Sequence, residues 1–351
     1  MTWNTKLYTV KLNMPKELRY SKDLSLDEIR EFLIINPYGK GYDKYIEPGL
    51  LYFTEDIDEL KRGLGVNEIA PMGLYIRGIY GGEEKKGQPK YAGLALEQYS
   101  IGRAVFRFKL FNTKDELIVP LDLMKRYGVG IYRMVYGGEI NPFRLNKYVD
   151  ILLSQKCEQS LKQFLKDALD LNSRNISEDT QKKVEGLINE LKQPNSIGTL
   201  NPNKYYVVYR CDRAFTACVI KPEKDDIVSH SNVSYVECNN ETVAYYYSAV
   251  LNYLAFKVIE LKRGFNRHQY ARPLLAVIIA GLSWNDLDEE TRRNVAELSR
   301  ALHSKVPREE YGNQRVALNE ISKLNEFHEL KSILDSKVDK ERLEEALKLV
   351  S

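Results

Sequence analysis

The sequence predicts an α+β fold, in which a mixed, β-rich domain over residues 1–240 precedes a helical bundle over residues 241–351. Short apolar runs bounded by Gly, Pro and Asn fill the first part, and such runs are typical of strands and turns. Apolar residues in the second part recur at helical spacing. A chain of 351 residues, with 43% hydrophobic and 29% charged residues, is long and apolar enough for two globular domains.

The first part begins with signals for strands and a short helix. Thr9–Leu12 is a predicted strand, and Ser25–Leu33 is a predicted helix because a capping Ser precedes acidic residues in its first turn. Gly73–Tyr80 and Gly102–Phe111 are also predicted strands. The stretch between them, Gly81–Gly93, is rich in Gly and Lys and is therefore predicted to form a loop.

A pair of helices is predicted within the first domain, at about residues 146–193. Apolar residues recur at helical spacing from Val149 to Leu169. Asn172–Asn175 interrupts this pattern, and Ser177 followed by two acidic residues is typical of the start of a second helix.

Strand signals return after a linker at Pro194–Asn203, which is rich in Pro and Asn. Tyr205–Cys211 and Phe215–Ile220 flank the short polar segment Asp212–Ala214, and this order predicts a β-hairpin. Ser234–Cys238 is predicted to add a third strand.

Every apolar pattern from Asn240 onwards is helical. Asn240 is predicted to cap a long helix that ends at Gly264, and Pro273 fits the first turn of a short apolar helix over Leu274–Leu282. Three further helices are marked by Val295, Leu298 and Leu302, by Leu318, Ile321, Leu324 and Phe327, and by Leu343, Ala346, Leu347 and Val350. Together these spacings predict a helical bundle.

The sequence lacks the local motifs of common active sites. None of its four histidines has a second histidine at metal-ligand spacing, and its four cysteines contain no Cys-x-x-Cys pair. Gly82-x-x-x-x-Gly87 is followed by Gln-Pro and not by Lys-Ser/Thr, so it is not a nucleotide-binding P-loop. We therefore expect that the protein has no catalytic activity of its own and binds no metal or cofactor. The absence of a signal peptide and of a long apolar span predicts a cytoplasmic protein with no membrane partner.

One basic segment, Arg263–Pro273, suggests a polyanion as ligand. It carries Phe265 and Tyr270 among the cationic residues Arg263, Arg267, His268 and Arg272. Guanidinium groups match phosphate oxygens, and aromatic rings can stack on bases. The alternative is a structural junction in which the arginines cap carbonyls and pair with carboxylates. A net charge of only +3 argues against a wholly cationic binding protein and leaves room for such a local patch.

Two further groups of residues are candidates for nucleic-acid contact. Strand 103–110 places Arg103, Arg107 and Lys109 on the face opposite its apolar residues. The loop Gly81–Gly93 offers Lys85, Lys86, Gln88 and Lys90, which could hold phosphates and read base edges. The alternatives are an ordinary solvated strand face and a hairpin tip with no partner.

Four strings in the second part carry a resemblance to a known family. They are Tyr246–Ala255 (YYSAVLNYLA), Arg267–Leu274 (RHQYARPL), Ala280–Trp284 (AGLSW) and Glu341–Ser351 (ERLEEALKLVS). The chain resembles the large subunit of the archaeal type I-A CRISPR effector complex, Cascade, most strongly over about residues 240–351. The resemblance implies a subunit without an active site that contacts guide RNA and target DNA and reads the protospacer-adjacent motif. It also implies contacts with the backbone, handle-capping and small subunits and with the helicase–nuclease.

Two other functions are compatible with the same sequence. The order of hairpin 205–220, strand 234–238 and helix 241–263 also looks like the end of a target-recognition module of a restriction–modification system. Such a module would read DNA bases directly and would need a methyltransferase partner. A scaffold that binds no nucleic acid, or an unrecognised enzyme, is the third possibility.

Overall fold

The computed structural model describes residues 95–351 except 192–196, 198, 212–213, 231, 239, 267–271 and 308–312. It also describes the backbone of four earlier strands, β1 (Leu7–Leu12), β2 (Leu33–Pro37), β3 (Leu51–Thr54) and β4 (Ile76–Arg77). The first three form an antiparallel sheet in the order β2-β1-β3. The predicted strand at Thr9–Leu12 is confirmed. The predicted helix lies outside the described residues except for its last residue, Leu33, which begins β2.

A second antiparallel sheet contains β5 (Leu96–Ile101), β6 (Val105–Leu110) and β7 (Leu117–Pro120) in that order. The short helix α1 (Leu121–Tyr127) follows. The alternation predicted for the second of these strands is confirmed, because Phe106, Phe108 and Leu110 are buried on one face. Ala104 does not join this buried face, since it precedes the strand and is exposed.

The next segment forms strands and then the predicted pair of helices. The strands are β8 (Val129–Val135), β9 (Ile140–Asn141), β10 (Arg144–Leu145) and β11 (Val149–Ser154), and the helices are α2 (Glu158–Asn172) and α3 (Glu178–Glu190). The Ser177 hydroxyl accepts a hydrogen bond from the Thr180 backbone N–H, so the predicted cap is confirmed.

The expectation of helix from residue 146 was wrong, because residues 149–154 pair with β8 as a strand. Its residues are buried on both faces. Leu152 packs beneath the helical pair, whereas Ile151 and Leu153 pack into a separate cluster with Met134 and Val228. A strand buried on both faces gives a continuous apolar run, which periodicity alone cannot distinguish from a helix.

The predicted hairpin is confirmed as β12 (Tyr205–Arg210) paired antiparallel with β13 (Ala217–Ile220). The chain continues through β14 (Ile227–Ser229), which pairs in parallel with β8, to β15 (Val233–Cys238), the predicted third strand. The resulting sheet has the order β13-β12-β15-β4. This sheet supplies the surface on which the first C-terminal helix packs.

Helix α4 (Glu241–Glu260) lies against this sheet. The Asn240 side chain accepts a hydrogen bond from the Thr242 N–H at 2.7 Å, so the predicted cap is confirmed. The helix ends four residues before Gly264, because the chain turns at Lys262, which has a φ of 56°. The buried Asn252 side chain donates to the Ala217 carbonyl at 2.8 Å and accepts from the Ala217 N–H at 3.0 Å. These bonds join the helix to β13.

The remaining helices are α5 (Arg272–Ile279), α6 (Glu289–Lys305), α7 (Gln314–Ile321), α8 (Asn325–Lys337) and α9 (Lys340–Val350). The residues Leu318 to Phe327, predicted as one helix, belong to two. At 3.6 residues per turn, positions nine apart lie on opposite faces of a continuous helix. A turn after Ile321 instead lets Leu318 and Phe327 bury in one core. Among the described helices, none is both long and apolar enough to cross a lipid bilayer.

The largest buried cluster extends across residue 240. It combines Val207, Tyr209 and Phe215 of the hairpin region with residues of the helices from α4 onwards. The sheet and the helical bundle therefore share a core. The domain boundary at residue 240 stays a prediction, and the junction between the two parts is where the candidate site lies.

Candidate nucleic-acid interface

Carboxylates offset most of the charge on the predicted strand face. Arg107 lies 3.7 Å from Glu116, and Lys109 lies 3.1 Å from Glu97. Arg103 is exposed at the bend before β6 and forms no ion pair with a described residue. This face therefore presents two paired cations and one unpaired cation, which is a weak surface for a polyanion.

The described part of the basic segment is built into the helical bundle. The Arg263 guanidinium pairs with Glu344 of α9, and the Arg263 carbonyl accepts from the Arg315 guanidinium at 2.6 Å. Arg272 begins α5 with a partly buried side chain. These contacts match the structural alternative for this segment, and its role in binding stays a prediction. The other predicted binding residues, Lys85, Lys86, Gln88, Lys90, Arg267 and His268, lie outside the described residues.

A pocket of about 450 Å³ opens where the β9–β10 hairpin, the end of β13, α4 and α6 meet. Its walls come from Phe143–Tyr148, Val219–Lys221, Tyr245 and His303. They include three cationic side chains, two tyrosines and no carboxylate among the described lining residues. We call this site the cationic pocket, with Arg144, Lys147 and Lys221 as its cations and Tyr148 and Tyr245 as its tyrosines.

Phe143 anchors the hairpin that carries much of the cationic pocket. It has a φ of 61°, a left-handed conformation that is rare for a bulky residue and costs about 1–3 kcal/mol. Its ring is fully buried and meets His303 and Phe327 edge to face, at centroid distances of 5.5 and 6.2 Å. Its backbone N–H also donates to the Ala217 carbonyl at 2.8 Å. This burial holds the strained turn in place, and Arg144 follows it directly.

Protein contacts position the cations of the pocket. Arg144 donates to the Val306 carbonyl at 2.5 Å, and Lys221 lies over the ring of Tyr205 at 4.8 Å. Neither of these two forms an ion pair with a described residue. Lys147 is exposed and lies 3.8 Å from the Glu139 carboxylate. The pocket therefore has two cations, Arg144 and Lys221, without a carboxylate partner among the described residues, and these suit an anion.

His303 has a structural role in the wall of the pocket. Its Nε2 accepts from the Val219 N–H at 2.9 Å, and its Nδ1–H donates to the Ser299 carbonyl at 2.7 Å. Burial and, to a lesser extent, the nearby Arg144 guanidinium lower the pKa of His303 to about 4. The ring is thus neutral near pH 7 with both nitrogens occupied, an arrangement that joins α6 to β13 and leaves no nitrogen for proton transfer.

The two tyrosines are held by neighbouring arginines. The Arg133 guanidinium lies 5.0 Å from the centre of the Tyr148 ring and also pairs with Asp226 at 2.8 Å. Burial raises the pKa of Tyr148 to about 12, so the ring stays un-ionised. Arg300 lies 5.1 Å from the centre of the Tyr245 ring. Because an arginine lies over one face of each ring, a base could stack only on the opposite face, which is ordered and therefore costs little entropy on binding.

Sequence reasoning did not find the cationic pocket, because four separate segments build it. One signal was available. Phe143-Arg-Leu-Asn-Lys-Tyr148 combines two cations with two aromatic residues, as Arg263–Pro273 also does. Its distant partners, Lys221 and Tyr245, come together with it only through the packing of α4 on the β12–β13 hairpin.

Comparison with known proteins gives little further information. No protein-family model matches the chain, and no curated protein matches it. Among solved structures, the chain is similar to the type IIL restriction–modification enzyme MmeI, determined in complex with DNA, with 14% identity and a TM-score of 0.32. The alignment covers 62% of this chain and 28% of that enzyme. At so low a TM-score, the likeness supports no conclusion about fold or function.

Proposed function

We propose that this chain is a non-catalytic, nucleic-acid-binding subunit of a CRISPR type I-A interference complex, where it contacts guide RNA and target DNA. The observation that carries the binding role is the cationic pocket. Its three cations and two tyrosines, with no acidic residue among its described lining, combine phosphate grips with stacking surfaces. The engaged nitrogens of His303 favour binding over acid–base chemistry at this site.

The proposal that this chain belongs to an interference complex rests on the family resemblance. Of the strings that carry it, Tyr246–Ala255 lies in the buried helix α4 and Glu341–Ser351 forms most of α9, which packs on α5. These residues are mainly core, so the resemblance concerns the bundle more than a binding surface. Reading of the flanking motif by Gly81–Gly93 or by the strand face of Arg103, and contact with the other subunits and the helicase–nuclease, are further parts of the proposal.

The alternative is a target-recognition module of a restriction–modification system. The observed order of the β12–β13 hairpin, β15 and α4 is the feature that favours it. A module of this kind would bind one duplex DNA sequence without any RNA. A Cascade subunit would instead bind best when guide RNA and target DNA are both present, because base pairing supplies the sequence specificity.

The direct test measures binding of the purified protein to duplex DNA, to guide RNA and to both together, at one salt concentration. We expect the greatest affinity for the combined substrate and a weaker, still measurable affinity in Arg144→Ala/Lys147→Ala/Lys221→Ala. The matched control is Lys166→Ala/Arg174→Ala/Lys182→Ala, which removes the same charge from exposed positions on the helical pair. Tight RNA-independent binding to one duplex sequence would support the alternative. Binding to no nucleic acid would contradict both.

A further inference from the structure

Resting on the proposed function, we infer that the cationic pocket receives one unpaired nucleotide of a single strand and not the backbone of a duplex. The first reason is its shape. A concave site of about 450 Å³ falls within the range of 300–1,000 Å³ typical of small-ligand pockets. Proteins usually read duplex DNA by placing a protruding helix or ribbon in a groove. A single base with its sugar and phosphate can enter such a pocket only after leaving the stack.

The second reason is the composition of the walls. Arg144, Lys147 and Lys221 come from two different segments, the β9–β10 hairpin with the residues after it and the end of β13. A phosphate in the pocket would therefore meet cations from both of these segments. Arg144 is already held by its bond to the Val306 carbonyl, so little of its side-chain freedom is lost on binding.

The third reason is the presence of two ordered rings in the same cavity. Tyr148 and Tyr245 lie in its walls, each held by an arginine about 5 Å from the ring centre, at 5.0 Å for Arg133 and 5.1 Å for Arg300. Stacking of bases on aromatic rings is a main source of affinity for single strands, and it tolerates any base. A duplex keeps its bases stacked on each other and gains nothing from these rings.

The test distinguishes the contribution of the tyrosine rings to binding from that of the cationic side chains. Fluorescence anisotropy measures binding of a 12-nucleotide single strand, as DNA and as RNA, and of the same DNA sequence as a duplex. We expect Tyr148→Leu and Tyr245→Leu to weaken single-strand binding by about fivefold to 150-fold, which corresponds to about 1–3 kcal/mol per stacked base. The matched variants Tyr148→Phe and Tyr245→Phe keep the ring and should stay within about twofold of wild type. Circular dichroism of each variant checks that the fold is intact.

A second measurement distinguishes failure of this inference from failure of the proposed function. Calorimetric titration with AMP and with inorganic phosphate should show binding of AMP that is stronger than that of phosphate and is lost in Arg144→Ala/Lys147→Ala/Lys221→Ala. If the Leu variants bind single strands as well as wild type while the triple variant does not, the nucleotide pocket is wrong and the binding function stands. If the protein binds AMP in the pocket but binds no strand longer than one nucleotide, the proposed function fails and the pocket is a site for a free nucleotide instead. Absence of both kinds of binding contradicts both.

Discussion

The state of His303 gives a prediction of stability against pH. Both of its hydrogen bonds, to Val219 and Ser299, need the neutral ring with its proton on Nδ1. Burial lowers its pKa from 6.5 to about 4. As the pH falls below 6.5, the unfolded chain takes up a proton that the folded protein still excludes. Stability is therefore full above pH 6.5 and is lost progressively down to about pH 4. The gap between the two pKa values corresponds to at most about 3 kcal/mol.

Urea unfolding of wild type and of His303→Gln, at several pH values between 7.5 and 4, measures this loss. A Trp3→Phe background leaves Trp284 as the one fluorescent indole, and it reports on the bundle because it packs edge to face on Tyr246 at 5.2 Å. Hydrogen bonds from Ser177 hold the pKa of Asp115 at about 2. The folding stability that this carboxylate contributes is therefore lost only as the pH falls below 3.8, and it is lost equally in both proteins. Wild type should lose up to about 3 kcal/mol more than His303→Gln between pH 6.5 and 4. Parallel pH profiles would refute the assignment of a neutral, hydrogen-bonded ring.

Three other substitutions test the account by chemical denaturation or binding. Phe143→Ala should destabilise the protein by about 3–5 kcal/mol, since it removes a fully buried ring from the core; a loss below about 1 kcal/mol would show that the hairpin is not anchored there. Asn252→Ala should cost about 1–3 kcal/mol, because it leaves the buried Ala217 N–H without its acceptor, while the Ala217 carbonyl still accepts from the Phe143 N–H; an unchanged midpoint would contradict this bridging role. Arg263→Ala should cost at most about 1 kcal/mol of stability, because its partner is the partly exposed Glu344. It should also leave the salt dependence of nucleic-acid binding unchanged, and a reduced salt dependence would show that Arg263 contacts the nucleic acid.

Local chemistry allowed several elements to be predicted from the sequence. Ser177 and Asn240 both cap helices as expected, because a cap depends on a few neighbouring residues. The β12–β13 hairpin was also predictable, since a short polar segment between two apolar runs leaves few other conformations. Patterns that depended on long-range packing were less informative. Residues 149–154 form a strand because β8 and two layers of core surround them.

The site could be predicted less well than the fold. Residue type identified Arg107, Lys109 and Arg263 as cations, but their partners decide whether they can bind a polyanion. Those partners, Glu116, Glu97 and Glu344, lie on other elements and come close only in the folded chain. The same topology brings the residues of the cationic pocket together from four segments. A sequence pattern reports which charges are present, whereas the fold determines which of them are offset.

The salt dependence of binding tests the central claim most directly. Each phosphate contact adds about 0.7–0.9 to the slope of log affinity against log salt concentration. If Arg144, Lys147 and Lys221 contact phosphates, their replacement by Ala should make the slope less negative by about 2 to 3, while Lys166→Ala/Arg174→Ala/Lys182→Ala should leave it unchanged. Equal slopes for wild type and both triple variants, with the fold intact, would show that the cationic pocket does not bind nucleic acid.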